Sequence, residues 1–124
     1  MIFVRRVSQW DTTDNAAQLK GKKSEKRFLE VCLRFLEQGR FPERIVSFTL
    51  GTQEDDHKKI DAWAHTVEGR RIPIQVKSAK REVEKFKTKQ EFQHILCVAA
   101  GQKESDEDIF TATRDGLMER AASE

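Results

Sequence analysis

Two short segments decide the fold: Ile60-Asp61-Ala62-Trp63-Ala64-His65-Thr66, and after Val67-Glu68-Gly69, Ile72-Pro73-Ile74-Gln75-Val76-Lys77-Ser78. Both alternate in character with period two, the spacing at which strand side chains switch faces. In the second segment Ile72, Ile74 and Val76 point one way, so Gln75 and Lys77 point the other way together. In the first, Ile60, Ala62 and Ala64 share a face, leaving Asp61, Trp63 and His65 opposite. A hairpin with Val67, Glu68 and Gly69 as an odd-numbered loop sets Asp61 across from Gln75, with Gly69 free to take positive φ. A carboxylate, an amide and an ammonium then meet at one end of a sheet.

Outward from the hairpin, Phe28, Leu29, Cys32, Phe35 and Leu36 recur at helical spacing before Gly39, predicting a helix from about Ala16 or Lys22 to Gln38. Arg44 to Leu50 (RIVSFTL) reads as a strand, and GTQEDDHKK after it as a loop. Arg81 to about Glu91, with Val83 and Phe86 three apart, suits a solvent-facing helix. Gln93 to Ala100 has the continuous apolar character of a buried central strand. Asp106 to Ala122 predicts an acidic, amphipathic closing helix with Ile109, Phe110, Thr113 and Leu117 on one side. The expected order is helix, three strands, helix, strand, helix: an α/β domain whose sheet is flanked by helices. Ile2-Phe3-Val4, Val7 and Trp10 suggest an added strand or arm.

A chain of 124 residues with 37% hydrophobic and 35% charged residues fits a single folded domain spanning 1–124, its core at about 20–100. No stretch approaches the ~20 apolar residues of a membrane span and no signal-peptide core opens the chain, so no membrane partner is expected and a cytoplasmic setting is. Cys32 and Cys97 lie inside apolar runs and read as buried free thiols.

The net charge of +2 conceals an asymmetry. Lys20, Lys22, Lys23, Lys26 and Arg27 face one acid, Glu25, while Arg70, Arg71, Lys77, Lys80, Arg81, Lys85, Lys87 and Lys89 face only Glu82 and Glu84. Brought together by the fold, these runs would form a phosphate-binding surface; taken singly, each also reads as a solvated charged face. Lys22, Lys23, Lys80, Arg81, Lys85, Lys87 and Lys89 are the candidate backbone contacts, because phosphate binding needs charge and no sequence reading.

The chemistry of the hairpin trio suits a hard divalent cation, which prefers carboxylate and carbonyl oxygens plus water and a substrate phosphate. Asp61 offers an anionic oxygen and Gln75 its amide carbonyl, while Lys77 can stabilise charge on the phosphate or help a water lose its proton. Glu25, three, four and seven positions before Phe28, Leu29 and Cys32, rides on the buried stripe, whereas Glu30 and Glu37 lie off it. It reads either as a fourth member of the site or as a helix-start acid answering the helix dipole.

Gly21-x3-Glu25 opening a helix, then Ile60-Asp61-Ala62-Trp63-Ala64, then Ile74-Gln75-Val76-Lys77, resembles the core of the PD-(D/E)xK nuclease superfamily. The resemblance covers about residues 20 to 100. It implies a restriction-endonuclease-like αβββαβ core with a mixed sheet, and Mg²⁺- or Mn²⁺-dependent cleavage of DNA. It also implies Glu25 and Asp61 as metal ligands and Lys77 as the catalytic lysine. Gln75 departs from the usual Asp or Glu and resembles the variant of Mrr-like restriction endonucleases and some transposon-end nucleases. A domain this small leaves target choice to DNA structure, branched DNA included, to a second copy, or to a larger complex. The rival readings are a non-catalytic nucleic-acid-binding module of the same fold and a protein-interaction domain docking through the charged helix.

Of the remaining residues, Glu54, Asp55 and Asp56 offer an alternative metal carboxylate, although a solvated loop is the plainer reading. Trp63 is more readily core than a base-stacking platform, and His65 more readily a packed surface histidine than a substrate contact. Ser78 could touch phosphate, and His57 and His94 lack metal-ligand spacing.

Overall fold

The alternation that marks the hairpin gives each strand one apolar face to bury and one mixed face. In a computed structural model describing residues 16–122, the two faces are covered by helices from either side of the hairpin. The elements are α1 (Ala16–Glu37), β1 (Ile45–Leu50), α2 (Gln53–His57), β2 (Ala62–Thr66), β3 (Arg71–Lys77), α3 (Lys80–Lys87), a 3₁₀ turn (Gln90–Phe92), β4 (Leu96–Ala99) and α4 (Asp106–Ala122). The chain is α/β, with an open four-stranded mixed sheet in the order β1-β2-β3-β4; only the β3–β4 pair is parallel. Among the described residues no helix is long and apolar enough to cross a membrane. Ile2-Phe3-Val4, Val7 and Trp10 lie outside the described residues.

One face carries the larger core. Ala62, Ala64, Ile72, Ile74, Val76, Leu96 and Val98 of the sheet meet Phe28, Leu29, Cys32 and Phe35 of α1, and Ile109, Phe110 and Leu117 of α4. Phe41 sits where the layers join, its ring 5.0 Å from Phe48 and 4.9 Å from Phe110. The anticipated α4 stripe is buried, Thr113 included, because its hydroxyl donates to the Ile109 carbonyl one turn back (2.7 Å) and needs no water. On the other face, Val83 and Phe86 of α3 pack on Cys97, Ala99, Ile95 and Ile60.

Four details differ from the sequence expectation, each for a local reason. Ile60 does not share the face of Ala62 and Ala64 but packs under α3, because β2 begins only at Ala62 and the preceding residues leave the pleat. β4 is buried at every position yet is the last strand of the sheet and not a central one; helices on both faces give it its apolar run. α3 stops at Lys87, where the chain tightens into the 3₁₀ turn. In β1 a bulge between Ile45 and Ser47 resets the alternation, so Ile45 and Phe48 both point inward and Val46 is left exposed.

The two helices on the larger core are tied at their polar rim. Arg27 donates to the carbonyls of Gly101 and Glu104 and to Asp106, which also takes the Arg34 guanidinium at 2.5 Å. Arg27 is therefore engaged in closing α1 onto the segment before α4 and is not part of the free basic run anticipated at Lys20 to Arg27.

The tightest approach is at Gly101, where an added Cβ would lie 1.8 Å from the Ser78 carbonyl oxygen, a main-chain atom with nowhere to go. Gly101→Ala is expected to cost about 3 kcal/mol, the upper range of overpacking. Gly21→Ala, on α1 with nothing within 4 Å of the new methyl, is expected to gain up to ~1 kcal/mol of helix propensity. Urea denaturation reads both, and equal midpoints for the two variants would contradict the packing described.

Candidate functional site

Asp61 stands one residue before the first ladder residue of β2 and holds β3 in two ways. Its main-chain N–H donates to the Ile74 carbonyl at 2.8 Å, and its carboxylate Oδ2 accepts the Val76 N–H at 2.9 Å. The side chain thus takes the place of a ladder carbonyl. The ladder ends at the pair Ala62–Ile74, in the register that a hairpin loop of Val67, Glu68 and Gly69 requires, and Asp61 just beyond it bonds to the two residues flanking Gln75. Gly69 has φ +85° and Thr66 N–H donates to the Arg70 carbonyl at 2.8 Å to close the loop.

The acid of α1 reaches the same place. Ligand oxygens of Glu25, Asp56 and Asp61 all lie within 4.8 Å of one another. Glu25 is half-buried, Asp56 exposed and Asp61 buried. Burial pushes the Asp61 carboxyl up to about 7, with Asp56 adding to the rise; the Val76 N–H and the Lys77 charge oppose it. Gln75 is only 8% exposed, and its Oε1 has no hydrogen-bond partner. A buried amide oxygen left in this state is costly and uncommon. Lys77, two residues on, makes no ion pair among the described residues; its Nζ lies 5.6 Å from the Phe86 ring centroid.

Asp56 was not singled out from its neighbours by sequence, and the stretch around it is not a plain loop. Thr52 caps α2: its hydroxyl accepts from Asp55 N–H (3.1 Å), while Asp55 Oδ2 accepts from Thr52 N–H (2.9 Å). Lys59, at φ +66°, then turns the chain back so that Ile60 N–H reaches the Asp55 carbonyl. Asp55 itself faces away from metal chemistry, since the Trp63 indole N–H donates to it at 3.0 Å and these bonds hold its carboxyl below the usual range. The pattern Thr52-x-x-Asp55 is a capping signature that could have marked the helical turn; nothing local marks Asp56.

The basic candidates do not all meet at this end of the sheet: α3 runs away from it, and Lys87 lines a hollow with Arg70, Arg71 and Pro73 towards the hairpin loop. Lys22 and Lys23 precede Glu25 on α1, and Lys80, at the start of α3, follows Lys77 closely. Lys23, Lys80, Arg81, Lys85, Lys87 and Lys89 are exposed, and none forms an ion pair with a described carboxylate. Trp63 is half-buried between Asp55 and Arg71, whose guanidinium carbon lies 4.0 Å from the ring, so it is a packing residue. His65 Nε2 bonds Thr49 Oγ1 at 2.8 Å, and Ser78 Oγ donates to Glu82 at 3.1 Å; both are occupied within the fold. His57 and His94 are exposed.

No protein-family model, curated protein or solved structure matches the chain.

Chemically, the cluster is an all-oxygen donor set. Two oxygens on opposite sides of Mg²⁺ are about 4.2 Å apart, and on opposite sides of Ca²⁺ about 4.8 Å. Only one pair of three carboxylates can stand on opposite sides of a cation, so the others would close to about 3 Å, the cis spacing around Mg²⁺, to share it.

The raised Asp61 value has a stability consequence with a definite sign. A carboxyl that titrates at about 7 in the folded chain and near 4 when unfolded penalises the fold when ionised. The penalty is full above pH 7 and fades as pH falls from 7 towards 4. Asn at this position keeps an oxygen for Val76 N–H and never ionises. Without divalent ions, Asp61→Asn is expected to melt higher than wild type at pH 8 and to lose that advantage at pH 5. A melting difference that does not change with pH would contradict the buried ionisation.

Proposed function

We propose that the chain is a Mg²⁺- or Mn²⁺-dependent endonuclease of the PD-(D/E)xK type that hydrolyses DNA phosphodiester bonds. The observation that carries this reading is the meeting of Glu25 and Asp61 beside a buried amide oxygen without a partner, with Lys77 two residues along the same strand. The order αβββαβ and a sheet whose β3–β4 pair alone is parallel support the restriction-endonuclease-like fold.

Glu25, Asp61 and Gln75 would hold the cation. Bound there, it would polarise the scissile phosphate and lower the pKa of a water. The protein's own part is chiefly electrostatic. Asp61 is fixed in direction by the Val76 N–H, so its second oxygen remains for a ligand. The Lys77 ammonium, unpaired among the described residues, is available for the charge that grows on the phosphate oxygens as water attacks phosphorus and the P–O bond to the leaving strand breaks. Lys80, Arg81, Lys85 and Lys87 on α3 supply backbone affinity independent of sequence, with target choice left to DNA structure, a second copy or a partner subunit.

Gln75 favours one second reading, a nucleic-acid-binding module without catalysis, because a neutral amide weakens the hold on a cation. The decisive assay incubates supercoiled, linear and branched DNA with Mg²⁺, with Mn²⁺ and with EDTA. The expected result is nicking that requires metal, is lost in Asp61→Ala and Lys77→Ala, and leaves DNA binding intact in Lys77→Ala. Equal cleavage by wild type and Asp61→Ala would sink the assignment, and binding without cleavage under any metal would favour the module. Neutralising Lys85 and Lys87 is expected to lower the salt dependence of binding by nearly one log–log slope unit for each DNA phosphate that the two lysines neutralise. Binding that ignores salt would instead point to a protein partner.

A further inference from the structure

Asp56 is the one member of the acidic cluster that the four-residue motif leaves unexplained. It belongs to α2, a turn with no buried residue, so α2 contributes nothing to either core. Yet the turn is held from several sides: by the Thr52–Asp55 capping box, by the Trp63 indole on Asp55, by Arg71 over that indole, and by Ile60 N–H on the Asp55 carbonyl. It also requires Lys59 at positive φ, a conformation costing on the order of 1 kcal/mol for a side-chain-bearing residue. This effort brings an exposed carboxylate, otherwise free to turn to water, to within 4.8 Å of two others. Carboxylates so placed repel one another unless a proton, which Asp56 helps Asp61 to keep, or a cation lies among them.

The Gln75 amide oxygen is the independent sign of a ligand: buried, without a partner, and on the residue whose two neighbours Asp61 grips. Glu25, Asp61 and Gln75 together carry only two negative charges. We propose that Asp56 is a third carboxylate ligand of the divalent cation, supplying from α2 the charge that Gln75 does not supply from β3. The inference rests on the metal-site reading above and adds to it a ligand from outside the motif. With three carboxylates and one amide oxygen, and no nitrogen or sulfur donor in the cluster, the site takes hard cations such as Mn²⁺ and Mg²⁺. Trp63 and Asp55 act as positioning residues for Asp56, since they touch the turn and not the cation.

The test is Mn²⁺ titration of the full chain, read by the electron paramagnetic resonance signal of the free hydrated ion. Wild type, Asp56→Asn, Gln75→Glu, the double variant and Asp61→Asn are compared, with melting temperatures taken without metal. Asp56→Asn is expected to bind Mn²⁺ at least ~10-fold more weakly, the scale already reached by loss of an outer-shell partner. It should melt no lower than wild type without metal, because an exposed repulsive charge has been removed. Adding Gln75→Glu should return affinity towards wild type. If Asp61→Asn loses Mn²⁺ while Asp56→Asn binds as wild type does, Asp56 is a surface acid and this inference falls while the metal site stands. Weakening that Gln75→Glu fails to repair overturns the exchange of charge between the two positions. Wild-type protein that takes up no Mn²⁺ overturns both readings.

Discussion

The structure turns on the two-handed hold of Asp61 on β3. A main-chain N–H on the Ile74 carbonyl and a carboxylate under the Val76 N–H replace what would otherwise be two ordinary rungs of the ladder. Because the carboxylate accepts where a carbonyl should, the β2 ladder ends at Ala62, with Gln75 between the two β3 residues that Asp61 holds. Gly51 completes the corner: its N–H donates to the Asp61 carbonyl at 2.7 Å, and a Cβ there would sit 2.8 Å from the Ile60 carbonyl oxygen. The fold thus buries an acid whose ionised form it solvates poorly. A residue chosen for stability would not be ionisable here, and such cost at one position is the usual mark of a site kept for function.

The rest of the architecture can be understood as bringing charges to that corner without letting them into the core. Glu25 arrives on α1, whose opposite needs are met by Phe28, Leu29 and Cys32 a turn or two further on. Arg27, on the same helix, is drawn off to Gly101, Glu104 and Asp106, so it neither pairs with nor crowds the cluster. The end of β3 and the start of α3 carry the positive groups, and the short link through Ser78 and Ala79 keeps Lys77 and Lys80 near the end of the sheet where Asp61 lies. Acids thus gather at one end of the sheet, from the buried Asp61 to the exposed Asp56, with Lys77 and Lys80 close by in the chain.

What could be read from the sequence was what local rules control. The period-two pattern and the three-residue loop with Gly69 gave the hairpin register, and the spacing of Ile109, Phe110, Thr113 and Leu117 gave the buried stripe of α4. The stripe also put Glu25 on the side of α1 where it comes near Asp61. The misread features depend on contacts that no window contains. Ile60 changes face because Asp61 ends the strand; β4 is apolar because helices cover an edge strand; Arg27 finds acceptors more than seventy residues away. Asp56 is the clearest case. Its placement needs the Lys59 backbone reversal and the Asp55–Trp63 bond, one a strained conformation and the other a tertiary contact, and the acidic run around it reads as solvent-facing.

The chemistry next to the cluster narrows what the site can hold. Cys97 lies opposite Gln75 on β4, close enough to feel both Lys77 and Asp61. A thiolate there would offer a soft donor and favour zinc over magnesium or manganese. Burial disfavours this without a metal: the thiol is pushed up to about 12, despite the pull of Lys77 in the other direction. Cys32, on the far side of the sheet, is pushed to about 12 by the same cause. Cys97 is therefore a packing residue under α3, and the cluster among the described residues offers the carboxyl oxygens of Glu25, Asp56 and Asp61. Donor type, and not the number of acids alone, is what the proposed hard-cation site rests on.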